Sequence, residues 1–226
     1  MRCLFYTMKH KYTHILWDFN GTIYDDMDAS RQATNVLLKA RGLKEIDTLD
    51  EMRSGFGFPV KDYYETLGFD YESERYEDIA SEWIKLYSDM SERSGLCKGA
   101  LEVITKLHAS GYEQSIISAC ELRMLREKLK KINIFGFFND ISGTCDVNAH
   151  SKSQVALMWR ECNPKAVALM IGDAPHDCEV ASLIGADCVL YSGGFVSKQR
   201  LEKCGVPVID HLSEIFNYVS GGEILF

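Results

Sequence analysis

The sequence predicts an α/β protein: a Rossmann-like parallel sheet core interrupted by an inserted all-helical cap. Three observations lead there. An apolar run at 14–19 stops at the turn pair Asn20-Gly21. The stretch 45–95 holds aromatic-rich amphipathic segments and no convincing strand. After Gly99, strand-like and helix-like segments alternate, the pattern of a parallel sheet covered on both faces.

In chain order, residues 14–19 form the first buried strand. Residues 29–41 turn helical, with Val36, Leu37 and Ala40 on one face and Gly42 as the stop. Segments 60–67 and 76–90 are amphipathic helices, separated from the first by the glycine-rich run 55–59. Residues 100–109 are a helix closed by Gly111, and 114–118 a strand. Residues 122–132 are a basic amphipathic helix, whose charges read as a solvated face. A short strand follows near 140–142, then a helix at 153–162, a strand at 166–171, a helix at 178–184 and a strand at 188–191. Helical pieces at 201–203 and 212–219 finish the chain. The expected division is a core of residues 8–26 and 96–226 around a helical cap of 27–95.

Composition is that of a globular protein, 46% hydrophobic and 26% charged over 226 residues. The net charge of −8 argues against nucleic acid as a partner, which needs a positive surface. An anionic substrate remains open, because a bound metal reverses the local field. No stretch is long and uncharged enough for a membrane partner, and residues 1–16 lack the apolar run of an export signal. Lys9 leads straight into the first strand, so Met8 as well as Met1 serves as a start. The eight cysteines form no Cys-x-x-Cys pair and suit no zinc or disulfide framework; reduced thiols in a cytoplasmic setting are expected. Monomer and homodimer are equally open.

Four polar clusters fall where predicted strands end, the edge at which open α/β sheets bind ligands. They are Asp18-Phe-Asn20-Gly-Thr22, Ser118 with Ala119, Lys152, and Gly172-Asp173 with Asp177. Asp18, Asp173 and Asp177 supply hard oxygen donors suited to Mg²⁺. A carboxylate that attacks phosphorus yields an aspartyl-phosphate. The Ser118 hydroxyl, nearby backbone N–H groups and the Lys152 ammonium suit phosphoryl oxygens. Each residue alone has an ordinary reading as a turn, cap or surface group. Together, in this order, they do not.

That order resembles the haloacid dehalogenase-like superfamily, over about residues 12–216. Residues 18–22 are similar to its first motif (Asp-x-Asp-x-Thr), with Asn20 in place of the second Asp. Ser118 resembles the second motif, Lys152 the third, and Gly172-Asp173 with Asp177 the fourth. Phosphoglycolate phosphatase-like members are the most similar, with their helical cap between the first two motifs. The resemblance implies a Mg²⁺-dependent phosphohydrolase acting on a small phosphorylated metabolite. Asp18 would be nucleophile and metal ligand, the Asn20 backbone carbonyl a second ligand, and Asp173 and Asp177 the remaining metal acids. Ser118, Ala119 and Lys152 would hold the phosphoryl group, and Thr22 would support it and the turn.

Asn20 is the departure. In the family the second Asp protonates the leaving group and then activates water, and an amide does neither. General acid–base catalysis is worth about 10²–10⁴-fold, about 3–5 kcal/mol of barrier. Three explanations compete. The chain is a phosphatase with another shuttle, for which His176 is nearest, or with a good leaving group. It cleaves a carbon–phosphorus bond, with Lys61 as the cap lysine for a Schiff base. Or it binds a phosphorylated ligand with low turnover. The loop 55–61, with Phe56 and Phe58, is the expected selector of substrate. A dinucleotide site is disfavoured, since no Gly-x-Gly-x-x-Gly follows the first strand. A receiver domain would be shorter and carry its metal acids ahead of the phosphorylated Asp.

Overall fold

The computed structural model describes residues 10–144 and 151–219; the candidate start at Met8 lies outside them. β1 (His14–Trp17) enters the centre of a six-stranded sheet. The others are β4 (Glu113–Glu121), β5 (Asp140–Thr144), β6 (Ala168–Gly172), β7 (Asp187–Tyr191) and β8 (Val208–Ile209). Every pairing is parallel and the order is β5-β4-β1-β6-β7-β8.

Helices α5 (Ala100–Ala109), α6 (Leu122–Lys131), α7 (Lys152–Cys162) and α8 (Pro175–Leu183) cover the sheet, and α9 (Lys198–Leu201) precedes β8. Strand alternation assigns the two faces. Ile15 and Trp17 pack with Val103, Ile104 and Leu107 of α5 and with Leu125 and Leu129 of α6. Leu16, between them, points the other way, to Val155 and Trp159 of α7 and Val180 of α8. The buried Trp17 indole donates to Gln114 at 3.0 Å, so this polar atom enters the core with a partner.

Between the short antiparallel strands β2 (Tyr24–Asp25) and β3 (Gly95–Leu96) the regular elements are helical. They are α1 (Met27–Ala40), α2 (Leu49–Gly55), α3 (Val60–Thr66), α4 (Tyr76–Met90) and one 3₁₀ turn (Ser91–Arg93). Leu37, Leu38, Met52, Tyr63, Tyr64, Phe69 and Ile79 give this insertion a core of its own. Phe195, from the loop after β7, packs into that core.

Several elements differ from expectation. α2 goes beyond the predicted helices, although Thr48, three residues before Glu51, is an N-terminal signal and does cap the helix at 3.1 Å. β8 has two residues, too few for periodicity to register. The predicted strand 114–118 runs on to Glu121 through an irregular register after Ile117. α8 starts three residues early because Pro175 occupies its first turn, where a missing N–H does no harm. Among the described residues, no helix is long and apolar enough to cross a membrane.

Candidate active site

Strand register brings the site together. Trp17 of β1 is level with Ile116 of β4 and Ile171 of β6. Asp18 and Asp173 therefore leave neighbouring strands at one rim of the sheet, and Ser118 stands at the same rim within β4, one to two residues beyond that level. Lys152 reaches the same point from the first turn of α7. Its helix is fixed by a capping box in which Ser151 accepts from the Gln154 N–H at 3.3 Å and the Gln154 side chain accepts from the Ser151 N–H at 2.9 Å.

Asp18, Asp173 and Asp177 are all buried, and one oxygen from each lies within 4.8 Å of the others. The buried Lys152 ammonium donates to both Asp18 and Asp177. The second Asp177 oxygen accepts the backbone N–H groups of Asp173 at 3.0 Å and Ala174 at 2.9 Å. Asp173 accepts from Thr22 at 2.9 Å and from the Phe195 N–H at 2.6 Å.

Ionised, three carboxylates against one ammonium leave two negative charges in excess in a buried space. Burial pushes the Asp18 carboxyl up to about 7, with Lys152 opposing and Asp177 adding to the rise. Burial raises Asp173 well above the usual range too, reinforced by Asp18 and Asp177. For Lys152, burial pulls downward, but Asp177 and Asp18 outweigh it and the ammonium is held charged. Hard oxygen donors, burial and an excess of two negative charges together fit a divalent cation such as Mg²⁺.

The other expected residues divide. Ser118 is buried at the rim, its hydroxyl accepting from the Cys120 N–H at 3.1 Å; Glu121, not Ser118, caps α6. Ala119 is exposed beside it. Thr22 is fully buried and its hydroxyl donates to Asp173 at 2.9 Å. His176, in the first turn of α8, is half-buried, and burial lowers its pKa with help from Lys152. Phe58 stacks on it at 5.2 Å, while Phe56 lies 5.0 Å from Phe195. The 55–61 loop thus covers the fourth-motif loop. Lys61 is exposed, its ammonium 5.0 Å from the Tyr71 ring within the insertion.

Two groups of residues were missed. Gly21 and Gly194 approach Asp173 so closely that a Cβ on Gly21 would lie 2.6 Å from a carboxylate oxygen, and one on Gly194 closer still; Gly21 also has φ +75°. The second is the network around Asp26, at the N-cap of α1: the side chain is buried and accepts from the Asn20 amide at 2.6 Å, the Gly21 N–H at 3.1 Å and the Tyr87 hydroxyl at 2.5 Å. In sequence it stands among Asp25 and Asp28 with nothing to mark it as the buried one.

Known proteins share sequence and fold with this chain. A phosphoglycolate phosphatase of Rhodobacter capsulatus is 24% identical over 186 residues, 80% of this chain and 84% of that protein. One from Pseudomonas fluorescens is 25% identical over 209 residues, 88% of this chain and 76% of its own length. A haloacid dehalogenase-like hydrolase from Streptococcus pneumoniae superposes with a TM-score of 0.75 at 21% identity, covering 92% of this chain and 98% of that one. Residues 15–191 match the haloacid dehalogenase-like hydrolase family. With that match spanning the first strand, the insertion and the Asp173–Asp177 loop, the chain belongs to the haloacid dehalogenase-like hydrolases.

Proposed function

We propose that this hydrolase is a Mg²⁺-dependent phosphatase that acts on a small phosphorylated metabolite through an aspartyl-phosphate on Asp18. The observation that carries the reading is the meeting of Asp18, Asp173, Asp177 and Lys152 at one buried point of the sheet rim. The relatives named phosphoglycolate phosphatases support it and put phosphoglycolate first among substrates to try.

Asp18, Asp173, Asp177 and the Asn20 backbone carbonyl would hold the metal, which when bound offsets phosphoryl charge and lets a carboxylate approach phosphorus. Asp18 attacks in line; its oxygen bonds to phosphorus as the ester bond breaks. Lys152 releases Asp18 as it takes up phosphoryl oxygens, its ammonium kept charged by the same acids. Ser118 and the backbone beside Ala119 orient the remaining oxygens. Residues 8–26 and 96–226 act as the core, and 27–95 as a cap whose Phe56 and Phe58 close over the substrate. Free thiols at all six described cysteines support a cytoplasmic setting.

The carbon–phosphorus alternative loses support because the Lys61 ammonium is exposed and lies over the Tyr71 ring within the insertion. Low turnover is the second reading, favoured by Asn20. Phosphate release with Mg²⁺ across a panel of alkyl, aryl and acyl phosphates separates the two. Turnover that falls at least about 10⁴-fold in Asp18→Asn establishes the nucleophile. Release from no substrate, or equal release from Asp18→Asn, refutes the phosphatase.

A further inference from the structure

The amide nitrogen at position 20 is held by two hydrogen bonds. Both hydrogens of the Asn20 amide are engaged, one by Asp26 Oδ2 at 2.6 Å and one by the Tyr87 hydroxyl oxygen at 2.9 Å. Tyr87, on α4 of the insertion, gives its own proton to Asp26 at 2.5 Å and accepts from Lys128 of α6 at 3.2 Å. A phenol has one proton and two lone pairs, so its capacity is filled. Lys128 sits 4.4 Å from the Tyr87 ring and 4.6 Å from the Tyr24 ring, and it also donates to Ser91 at 2.7 Å. Asp26 accepts three donors on two oxygens, the pattern of an ionised carboxylate.

We propose that Asp26 and Tyr87 are positioning residues that lock Asn20 as an acceptor only, and that carboxylates at positions 20 and 26 exclude one another. The inference rests on the phosphatase reading and narrows its substrate class. With both N–H groups held, Asn20 presents one oxygen lone-pair face, which orients a water and gives no proton. When Asp18 forms its bond to phosphorus, the leaving oxygen departs with the electron pair and takes no proton from position 20. In the second step water oxygen bonds to phosphorus and the Asp18–phosphorus bond breaks. One water hydrogen stays on the new P–OH, the other passes to a phosphoryl oxygen, and dihydrogen phosphate leaves. No base is needed, but the first step favours acyl and aryl phosphates over simple alkyl esters.

An acid placed at position 20 alone would meet the Asp26 carboxylate at hydrogen-bond distance, a repulsive pairing. Exchanging the two residues reverses every bond without loss. The amide, moved to position 26, would donate to the carboxylate at position 20 and to Tyr87. The Tyr87 proton would turn to that carboxylate, and the Gly21 N–H would still have an amide oxygen.

The test compares wild type, Asn20→Asp, Asp26→Asn and the double exchange, on a simple alkyl phosphate and on an aryl phosphate with Mg²⁺, alongside thermal melts. The expected results are preference for the aryl ester in wild type and no gain in alkyl-ester kcat in Asn20→Asp. The double exchange should raise the ratio of alkyl-ester to aryl-ester kcat at least about 10-fold over wild type. Asn20→Asp alone gaining as much as the exchange overturns the proposal, and so does an exchange that gains nothing. Should no protein release phosphate, the phosphatase reading fails and the melts decide the pair. Recovery of Tm in the exchange above Asn20→Asp keeps the exclusion; additive losses overturn it.

Discussion

Two buried acid centres lie within eight residues of one another along the chain, and they are built on opposite terms. At the sheet rim Asp18, Asp173 and Asp177 share one ammonium, and burial drives two of the three carboxyls upward. At the base of the insertion Asp26 stands as the one carboxylate among the Asn20 amide, the Gly21 N–H and the Tyr87 hydroxyl, with Lys128 behind Tyr87. Burial raises Asp26 as well, while Tyr87 and Asn20 oppose the rise. The first centre is short of positive charge and demands it from outside. The second is satisfied within the chain, so it holds the molecule together. A buried acid is a ligand site when its charge is unmatched, and a structural joint when its donors are complete.

The sharpest way to break that contrast is Asp26→Ala. Removing a buried acceptor with three donors should cost about 3–5 kcal/mol in a urea melt. A loss below about 1 kcal/mol would mean that the donors find other partners and that the joint is ordinary packing.

The rim should respond to cation in the opposite sense. Asp18 and Asp173 have folded pKa values above their unfolded ones, so their protonated forms favour the fold. That contribution is present in acid and is lost as pH rises, for Asp18 through about 7. Metal-free protein is therefore expected to lose stability between pH 5 and pH 8. Mg²⁺ at about 100 times its Kd should return about 2.7 kcal/mol at pH 8, about 5–10 °C in Tm, and less at pH 5. The gain should vanish in Asp173→Asn. A larger Mg²⁺ gain at pH 5 than at pH 8 would contradict the charge argument.

Tyr87→Phe sharpens the joint from the insertion side. Loss of one hydroxyl that serves Asp26, Asn20 and Lys128 should cost about 1–3 kcal/mol in the same urea melt, with the Mg²⁺ response unchanged. Phe58→Ala touches neither acid centre. Phe58 is 47% exposed and stacks on His176, so stability should fall by about 0.5–1.5 kcal/mol. A rise in KM without loss of kcat would mark it as a substrate contact; unchanged KM for every substrate would remove the 55–61 loop from selection.

The parallel core and the helical insertion were legible because their signals are local. The apolar run at 14–19, turn glycines and amphipathic spacing depend on near neighbours in the chain, and chain order placed Asp18 and Asp173 just after their strands. The misses were short or terminal elements: α2, the two-residue strands β2, β3 and β8, and the early start of α8 at Pro175.

Position 20 shows the limit. The sequence by itself determined that an amide stands at position 20, between Asp18 and Thr22. What that amide can do was decided by tertiary structure, since its partners are Asp26, six residues on, and Tyr87, 67 residues away on α4. The partner of the Thr22 hydroxyl was decided in the same way, being Asp173, 151 residues distant. Periodicity reports which face of an element is buried, whereas the direction of a hydrogen bond depends on which donors the completed packing brings within about 3 Å.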